Sequence, residues 1–286
     1  MKLATSSVHG GPPEIGVVDG GRVVRIQRAL PRLATTMIDL IATWDVAAED
    51  VRQVVRQATD VIPLEEVRLL PPIERPNKIM AMGLNYADHV AEAGLEVPKH
   101  QVWFCKQANT VHPPYEPVQI PKASTSVDYE AELVIVIGKR GRNISREDAA
   151  GHIFGYCVGN DVTARDWQKL TSQWVLSKSF DTHGPFGPWI TTADEVGNPH
   201  HLGIRSLVNG EIRQQSNTRE LIFDVFDQVN CLSQVMTLEP GDIVFTGTPG
   251  GVGAAMKPPV FLKAGDRVRC EIDELGAIEA VFENEV

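Results

Sequence analysis

The chain has 286 residues and a formal net charge of −10, from 27 Lys and Arg against 37 Asp and Glu, and 43% of its residues are hydrophobic. This ordinary globular composition excludes a disordered, collagen-like or low-complexity chain. The acidic balance and the lack of a Lys/Arg-rich run argue against a nucleic-acid or anionic-membrane partner, because binding phosphates needs positive charge. No apolar run approaches the roughly 20 residues of a membrane span, and no secretory signal follows Met1. We therefore expect a cytoplasmic protein without a nucleic-acid or membrane partner.

The four cysteines are widely spaced along the chain. Their spacing matches neither a zinc-binding CxxC pair nor a disulfide framework. We expect reduced packing residues at Cys105, Cys157, Cys231 and Cys270.

The first 70 residues are predicted to form a small separate unit. Apolar runs at 15–18 and 23–26 flank Asp19-Gly20-Gly21, which indicates a β-hairpin. Apolar residues at helical spacing follow at Val51, Val54, Val55 and Ala58. Three prolines within 71–76 then favour an extended connector. The sequence therefore predicts a small N-terminal α+β domain over 1–72 and a second domain over 73–286.

Short apolar strands dominate the second domain, with few helical stretches between them. Asn209-Gly210 between two strands is typical of a tight hairpin turn. Many short strands with frequent turns favour a mixed, β-rich α/β fold with a rolled, barrel-like sheet over a doubly wound one. The predicted strands cover 79–82, 102–106, 131–137, 154–158, 189–191, 204–208, 211–214, 243–245, 268–272 and 278–282.

Three acidic residues at strand positions indicate a metal site. In a strand over 131–137, the period of two places Glu130 and Glu132 on one face. Two neighbouring carboxylates on an apolar strand repel each other unless a cation lies between them or the strand end is exposed. Asp161, directly after the next apolar strand, is either a third ligand or a helix cap. Oxygen ligands favour Mg²⁺, Mn²⁺ or Ca²⁺ over zinc.

A His-x-x-Glu pair follows the first strand of the second domain. Asn85 can cap a short helix on which His89 and Glu92 lie three residues apart, on one face. A carboxylate beside an imidazole raises the basicity of the imidazole, which suits a general base. The alternative is a solvated pair on the helix surface.

The glycine-rich segment 246–253 lacks the Gly-Lys-Ser/Thr ending of a phosphate-binding loop. Its backbone N–H groups are better suited to an anion such as a carboxylate. Lys178 is a candidate cation near that anion, or simply a surface charge.

In this order, the motifs resemble the fumarylacetoacetate hydrolase family over about 78–286. The matching segments are Gly83-Leu84-Asn85-Tyr86 with His89 and Glu92, Tyr129-Glu130-Ala131-Glu132, Asn160-Asp161-Val162-Thr163-Ala164-Arg165-Asp166, Lys178-Ser179-Phe180-Asp181 and Thr246-Gly247-Thr248-Pro249-Gly250-Gly251-Val252-Gly253. The resemblance implies a mixed β-roll, a homodimer, and Mg²⁺ or Mn²⁺ held by Glu130, Glu132 and Asp161. It also implies His89 and Glu92 as an acid/base pair on a lid helix, Lys178 as a catalytic group, and Arg165, Gln168, Gly247 and Thr248 as substrate contacts.

The resemblance implies a 2-oxo acid substrate and leaves the reaction open. Because His89, Glu92 and Lys178 are all present, we expect metal-dependent hydrolysis of a C–C bond in a 2,4-dioxo acid such as an acylpyruvate. The alternatives at the same site are oxaloacetate decarboxylation and isomerisation or hydration of an unsaturated oxo acid. A remote alternative is a metal-stabilised binding protein without activity.

Overall fold

The computed structural model describes residues 1–31, 35–92 and 94–286, which form 19 strands and six α-helices. The strands are β1 Lys2–Val8, β2 Glu14–Asp19, β3 Arg22–Val24, β4 Val61–Pro63, β5 Val67–Leu69, β6 Ile79–Gly83, β7 Val102–Cys105, β8 Val111–His112, β9 Val118–Ile120, β10 Val127–Asp128, β11 Ala131–Ile137, β12 Ile153–Asn160, β13 Thr163–Ala164, β14 Gly184–Thr192, β15 Gly203–Val208, β16 Glu211–Asn217, β17 Ile243–Phe245, β18 Arg267–Ile272 and β19 Gly276–Asn284.

The helices are short and lie between the strands. They are α1 Ile26–Ala29, α2 Met37–Ala42, α3 Trp44–Gln57, α4 Ala87–Glu92, α5 Arg165–Gln168 and α6 Val225–Val235, with 3₁₀ turns at Leu64–Glu66, Ala108–Thr110, Ala149–His152, Thr218–Glu220 and Gly253–Ala255. None of the helices described is long and apolar enough to cross a membrane.

Three sheets organise the molecule. The largest has twelve strands, in the order β4-β3-β2-β1-β14-β12-β11-β17-β6-β7, with β5 paired to β1 and β8 paired to β14. A five-stranded sheet has the order β16-β15-β18-β19-β9, and β10 pairs with β13. The apolar faces pack into a core that includes Leu133, Ile135 and Phe282. The prediction of a mixed, strand-rich α/β fold is confirmed.

The N-terminal strands are continuous with the large sheet. The predicted hairpin forms, with Val18 opposite Val23, and β1 pairs with β14 through Lys2 and Thr191. One hydrogen-bonded sheet thus crosses the proposed boundary after residue 72. The N-terminal strands extend the large sheet. The division into two domains stays a prediction.

The strands predicted from apolar runs are all present, with bounds that differ by a few residues. Asn209 and Gly210 both have positive φ, as the predicted hairpin turn requires. Helix α6 lies outside the predictions, although Asp224 begins it with a capping box and Val225, Val229 and Leu232 are buried at helical spacing. The four cysteines are free, as predicted, and Cys157 and Cys270 are buried.

Strand register brings distant segments together beside β11. Ala131 pairs with Asn160 on β12, so the N–H of Asp161 donates to the Glu130 carbonyl at 2.9 Å. On the other side, Val134 pairs with Phe245 on β17. The glycine-rich segment that follows β17 therefore begins next to the carboxylates of β11.

Candidate active site

The three predicted metal ligands form a buried cluster. One oxygen from each of Glu130, Glu132 and Asp161 lies within 4.8 Å of the other two. All three side chains are buried, so the alternative of exposed charges at a strand end is wrong. The helix-cap alternative for Asp161 is also wrong, because α5 begins after Ala164 and the Asp161 carboxylate binds lysines instead.

Three buried cations surround this cluster. Lys178 Nζ lies 2.6 Å from Glu130 Oε2 and 2.5 Å from Asp161 Oδ2. Arg165 Nη2 lies 2.6 Å from Glu130 Oε1, and its Nε donates to Asp128 Oδ2 at 2.8 Å. Burial raises the pKa of Glu130, but Lys178 and Arg165 outweigh that effect and lower it below its ordinary value. Lys178 is therefore not a surface charge.

Lys106 is the third cation, and sequence reasoning assigned it no role. Its Nζ donates to Asp161 Oδ1 at 2.7 Å and also to the Lys178 carbonyl. Lys106 is buried, and the burial lowers its pKa. The only signal in the sequence is a lysine at the end of the apolar run 102–106. Lys106 fixes the orientation of Asp161.

Glu132 lacks a cationic partner among the described residues. Its Oε2 accepts a hydrogen bond from the Gly247 N–H at 2.7 Å. Burial, together with the negative charges of Asp161 and Glu130, raises the pKa of Glu132 well above its ordinary value. A divalent cation bound by these oxygens would supply the missing positive charge. The donor set therefore fits Mg²⁺ or Mn²⁺, with Glu130, Glu132 and Asp161 as its ligands.

The N–H groups of the glycine-rich segment, expected to bind an anionic ligand, donate instead to carboxylates of the chain itself. Gly250 N–H donates to Asp88 Oδ1 at 3.2 Å, Gly251 N–H to Glu92 Oε2 at 2.9 Å, and Gly253 N–H to Asp128 Oδ1 at 2.8 Å. The predicted substrate contact of Gly247 stays a prediction, because its N–H holds Glu132 in this structure.

Helix α4 carries His89 and Glu92 to the edge of the cluster. His89 Nδ1 lies 3.8 Å from Glu92 Oε2, beyond hydrogen-bond range, and it is buried without a partner. Burial lowers the pKa of His89, and the charge of Glu130 partly opposes that effect. Asn85 does not cap α4 as predicted: its side chain bonds the backbone of Phe223 and Thr246.

A cavity of about 220 Å³ joins these groups. The side chains that line it include His89, Glu130, Glu132, Arg165, Gln168, Lys178 and Thr248, and its remaining walls are Met82, Gly83, Leu84, Leu95, Phe104 and Trp174. Arg165 Nη1 donates to Gln168 Oε1 at 3.1 Å, and the Thr248 hydroxyl donates to the Ala131 carbonyl at 2.9 Å. All ten predicted site residues thus belong to one connected cluster, while their individual roles stay predictions.

Known proteins match the chain over most of its length. The family model for the C-terminal domain of fumarylacetoacetate hydrolase matches residues 78–283. A mitochondrial oxaloacetate tautomerase from Xenopus laevis is 45% identical over 97% of this chain and 89% of its own. Among solved structures, an HpcE protein from Mycobacterium smegmatis is 37% identical with a TM-score of 0.89, and both chains are fully covered.

A second solved structure carries ligands. It is maleylpyruvate hydrolase from Sphingobium in complex with manganese(II) and pyruvate, 34% identical, with a TM-score of 0.86 and full coverage of both chains. The family model covers more than half of the chain, and the relatives match it over nearly its full length. The chain belongs to the fumarylacetoacetate hydrolase family.

Proposed function

We propose that this chain is a divalent-metal-dependent enzyme that interconverts the enol and keto forms of a 2-oxo acid, with oxaloacetate as its substrate. The observation that carries the proposal is the His89 imidazole, which lines a cavity together with the buried carboxylates and whose Nδ1 has no hydrogen-bond partner. The 45% identity to a protein named oxaloacetate tautomerase supports this substrate.

The reaction moves one proton from the enol oxygen at C2 to the carbon at C3. Since burial lowers the pKa of His89, the ring is neutral at pH 7 and can accept this proton and return it. Tautomerisation needs no activated water, so it does not require Glu92 to orient the imidazole. Glu92 instead accepts the Gly251 N–H, which fixes α4 against the glycine-rich segment.

The other residues of the cavity bind and orient the acid. Arg165 and Gln168 present N–H groups to a carboxylate, and their mutual hydrogen bond holds both side chains in place. Lys178 keeps Glu130 and Asp161 in position through its two ion pairs. A divalent ion on the three carboxylates would supply Lewis-acid stabilisation of negative charge on the 2-oxo oxygen.

Hydrolysis of a 2,4-dioxo acid, which the sequence favoured, is the second candidate. The manganese and pyruvate in the maleylpyruvate hydrolase structure support it. This reaction requires water activated by a His89–Glu92 pair at hydrogen-bond distance. Glu92 would have to release the Gly251 N–H and approach His89 from 3.8 Å.

A substrate panel separates the two candidates. We expect Mg²⁺ or Mn²⁺ to support rapid ketonisation of enol-oxaloacetate, followed by its ultraviolet absorbance, and EDTA to abolish it. Acetylpyruvate and fumarylpyruvate should release little pyruvate, and oxaloacetate little CO₂. If pyruvate is released from acetylpyruvate or fumarylpyruvate faster than enol-oxaloacetate is ketonised, the hydrolase proposal is favoured over the tautomerase proposal.

His89→Ala tests the proton-transfer group. Ketonisation should fall about 10²- to 10⁴-fold, the usual contribution of a positioned acid/base group, with unchanged Mn²⁺ affinity by calorimetry. The matched control is His201→Ala, since His201 is exposed and lies outside the cavity. Turnover by His89→Ala within about threefold of the control would remove His89 from the mechanism.

A further inference from the structure

One side of the cavity is an apolar wall, formed by Leu84, Leu95, Phe104 and Trp174. The Phe104 ring centre lies 5.0 Å from Lys178 Nζ, and Trp174 packs edge-on against Phe104 with ring centres 5.5 Å apart. Phe104 is therefore the wall residue next to the charged cluster, and Trp174 packs against Phe104.

The Trp174 ring packs closely against the backbone of Gly83, and the Trp174 backbone is fixed by hydrogen bonds. A Cβ at Gly83 would lie 2.2 Å from Trp174 Cζ3 and 2.9 Å from Cη2, so the ring occupies the space that any other residue at 83 would fill. The Trp174 carbonyl accepts hydrogen bonds from Ser177 Oγ at 2.8 Å and Lys178 N–H at 3.1 Å. The turn that positions Lys178 also positions the indole.

Leu84 adds a second constraint to the same wall. Its φ is +56°, in the left-handed region that a bulky side chain rarely adopts. Backbone strain of this kind persists where the surroundings hold it in place, and it is common at ligand sites. Gly83 and Leu84 at the end of β6 thus help to shape the apolar wall beside Phe104 on the paired strand β7.

We propose that Trp174 is a specificity-determining residue that restricts the C3 substituent of the 2-oxo acid to small groups. This inference rests on the proposed function and names the substrate class more narrowly. Apart from the Trp174 indole N–H, the wall is apolar, so a second carboxylate is better bound by the charged and polar groups of Arg165 and Gln168. With the indole lining a cavity of only about 220 Å³, a small C3 substituent fits more readily than an aromatic or long acyl group.

Trp174→Ala provides the test, with enol-oxaloacetate and enol-phenylpyruvate as paired substrates and Mn²⁺ in both assays. The phenyl group occupies the volume that the indole leaves, so the kcat/KM ratio of phenylpyruvate to oxaloacetate should rise about tenfold or more. The matched control is Trp44→Ala, which also removes an edge-on aromatic contact, with Phe154 at 5.2 Å, outside the cavity. Its ratio should stay at the wild-type value.

Gly83→Ala gives the opposite perturbation with Trp174 in place. It is read alone if Trp174→Ala does not fold: kcat/KM should then fall more for phenylpyruvate than for oxaloacetate, and equal falls would overturn the proposal. The added methyl group pushes the indole into the cavity, so kcat/KM should fall for both substrates. In the double variant Gly83→Ala/Trp174→Ala the loss should disappear, because the clashing ring is gone. An unchanged substrate ratio in Trp174→Ala, or a Gly83→Ala loss that persists in the double variant, would overturn the proposal.

The same experiment distinguishes failure of the tautomerase proposal from failure of the role proposed for Trp174. If the wild-type enzyme accelerates ketonisation of neither acid, the tautomerase proposal fails. The role of Trp174 is then decided by binding, through the Kd ratio of phenylpyruvate to pyruvate on Mn²⁺-loaded protein. A ratio that shifts about tenfold toward phenylpyruvate in Trp174→Ala supports the wall as the size limit, and an unchanged ratio rejects it.

Discussion

The N-terminal layer, formed by β1–β5 and α1–α3, differs from the cavity in where its charged side chains lie. In the layer, ion pairs such as Arg22 with Asp19 and Arg56 with Glu49 lie at the surface. At the cavity, four carboxylates and three cations are buried together, and Glu132 has no cationic partner among the described residues. The layer contains apolar side chains in its interior, including Leu3, Ile15 and Leu40.

This difference indicates which residues stabilise the fold and which serve the reaction. A surface ion pair contributes about 0–1 kcal/mol because solvent screens it, while burying each ion costs several kcal/mol that its partners only partly offset. Apolar residues of similar volume would stabilise the cavity at least as well. The buried charges are therefore explained by chemistry, and the apolar interior of the N-terminal layer by folding.

Asp161→Ala is expected to give the largest effect. It leaves the ammonium groups of Lys106 and Lys178 without a shared carboxylate, and breaking a buried pair in this way costs about 3–5 kcal/mol. Urea unfolding measures the loss, and calorimetry should show that Mn²⁺ binding is lost as well.

Asp161→Asn is the matched variant, since it keeps the side-chain volume and one oxygen acceptor. We expect it to lose Mn²⁺ affinity with a smaller loss of stability than Asp161→Ala. Full stability of Asp161→Ala would mean that the two lysines find other partners, and the contrast between cavity and layer would then weaken.

His183 is a buried histidine near the site, and it differs from the charged groups there because it is neutral. It is fully buried, its Nε2 donates to the Gln119 carbonyl at 2.9 Å, and burial lowers its pKa from 6.5 to about 3. Below pH 6.5 the unfolded chain binds a proton that the folded chain excludes, so this contribution to stability is lost as pH falls. Between pH 7 and pH 5 the loss is about 2 kcal/mol.

His183→Asn removes this titration. The free energy of unfolding of the variant should therefore fall less between pH 7 and pH 5 than that of the wild type, as measured by urea denaturation at each pH. His201→Ala, at an exposed position, should keep the wild-type dependence. Identical pH dependence in His183→Asn and the wild type would show that His183 does not stay neutral in the folded state.

The sequence predicted the central strands and the carboxylates on and beside them because these carry a local signal, whereas Arg165, Gln168, Gly247 and Thr248 were predicted only from the family resemblance. Period-two alternation and buried runs locate β11 and β12, and carboxylates in such runs are unusual enough to indicate a cation. The pairing of β1 with β14 carries no such signal, because residues 2 and 191 meet only through long-range register. The continuity of the sheet across residue 72 therefore needed the structure.

Two features of the site were missed for the same physical reason. Lys106 lies 55 residues from Asp161, and one lysine at a strand end does not reveal its partner. The N–H groups of 246–253 were expected to bind an anionic ligand, but composition cannot tell a ligand from the chain's own Asp88 and Glu92, which accept these hydrogen bonds. The side-chain partner is set by tertiary contacts in both cases.

Arg22→Ala should give the smallest effect and tests the other half of the comparison. Arg22 Nε and Nη2 both donate to Asp19 Oδ2, at 3.2 and 2.7 Å, across the turn between β2 and β3. The two side chains are 49% and 46% exposed, so water replaces the lost contact. Stability by urea unfolding should change by about 0.5 kcal/mol or less, and high salt should reduce even that difference. A loss above about 1 kcal/mol would mean that the hairpin depends on its charges, and surface electrostatics would then contribute to folding of the N-terminal layer alongside its apolar core.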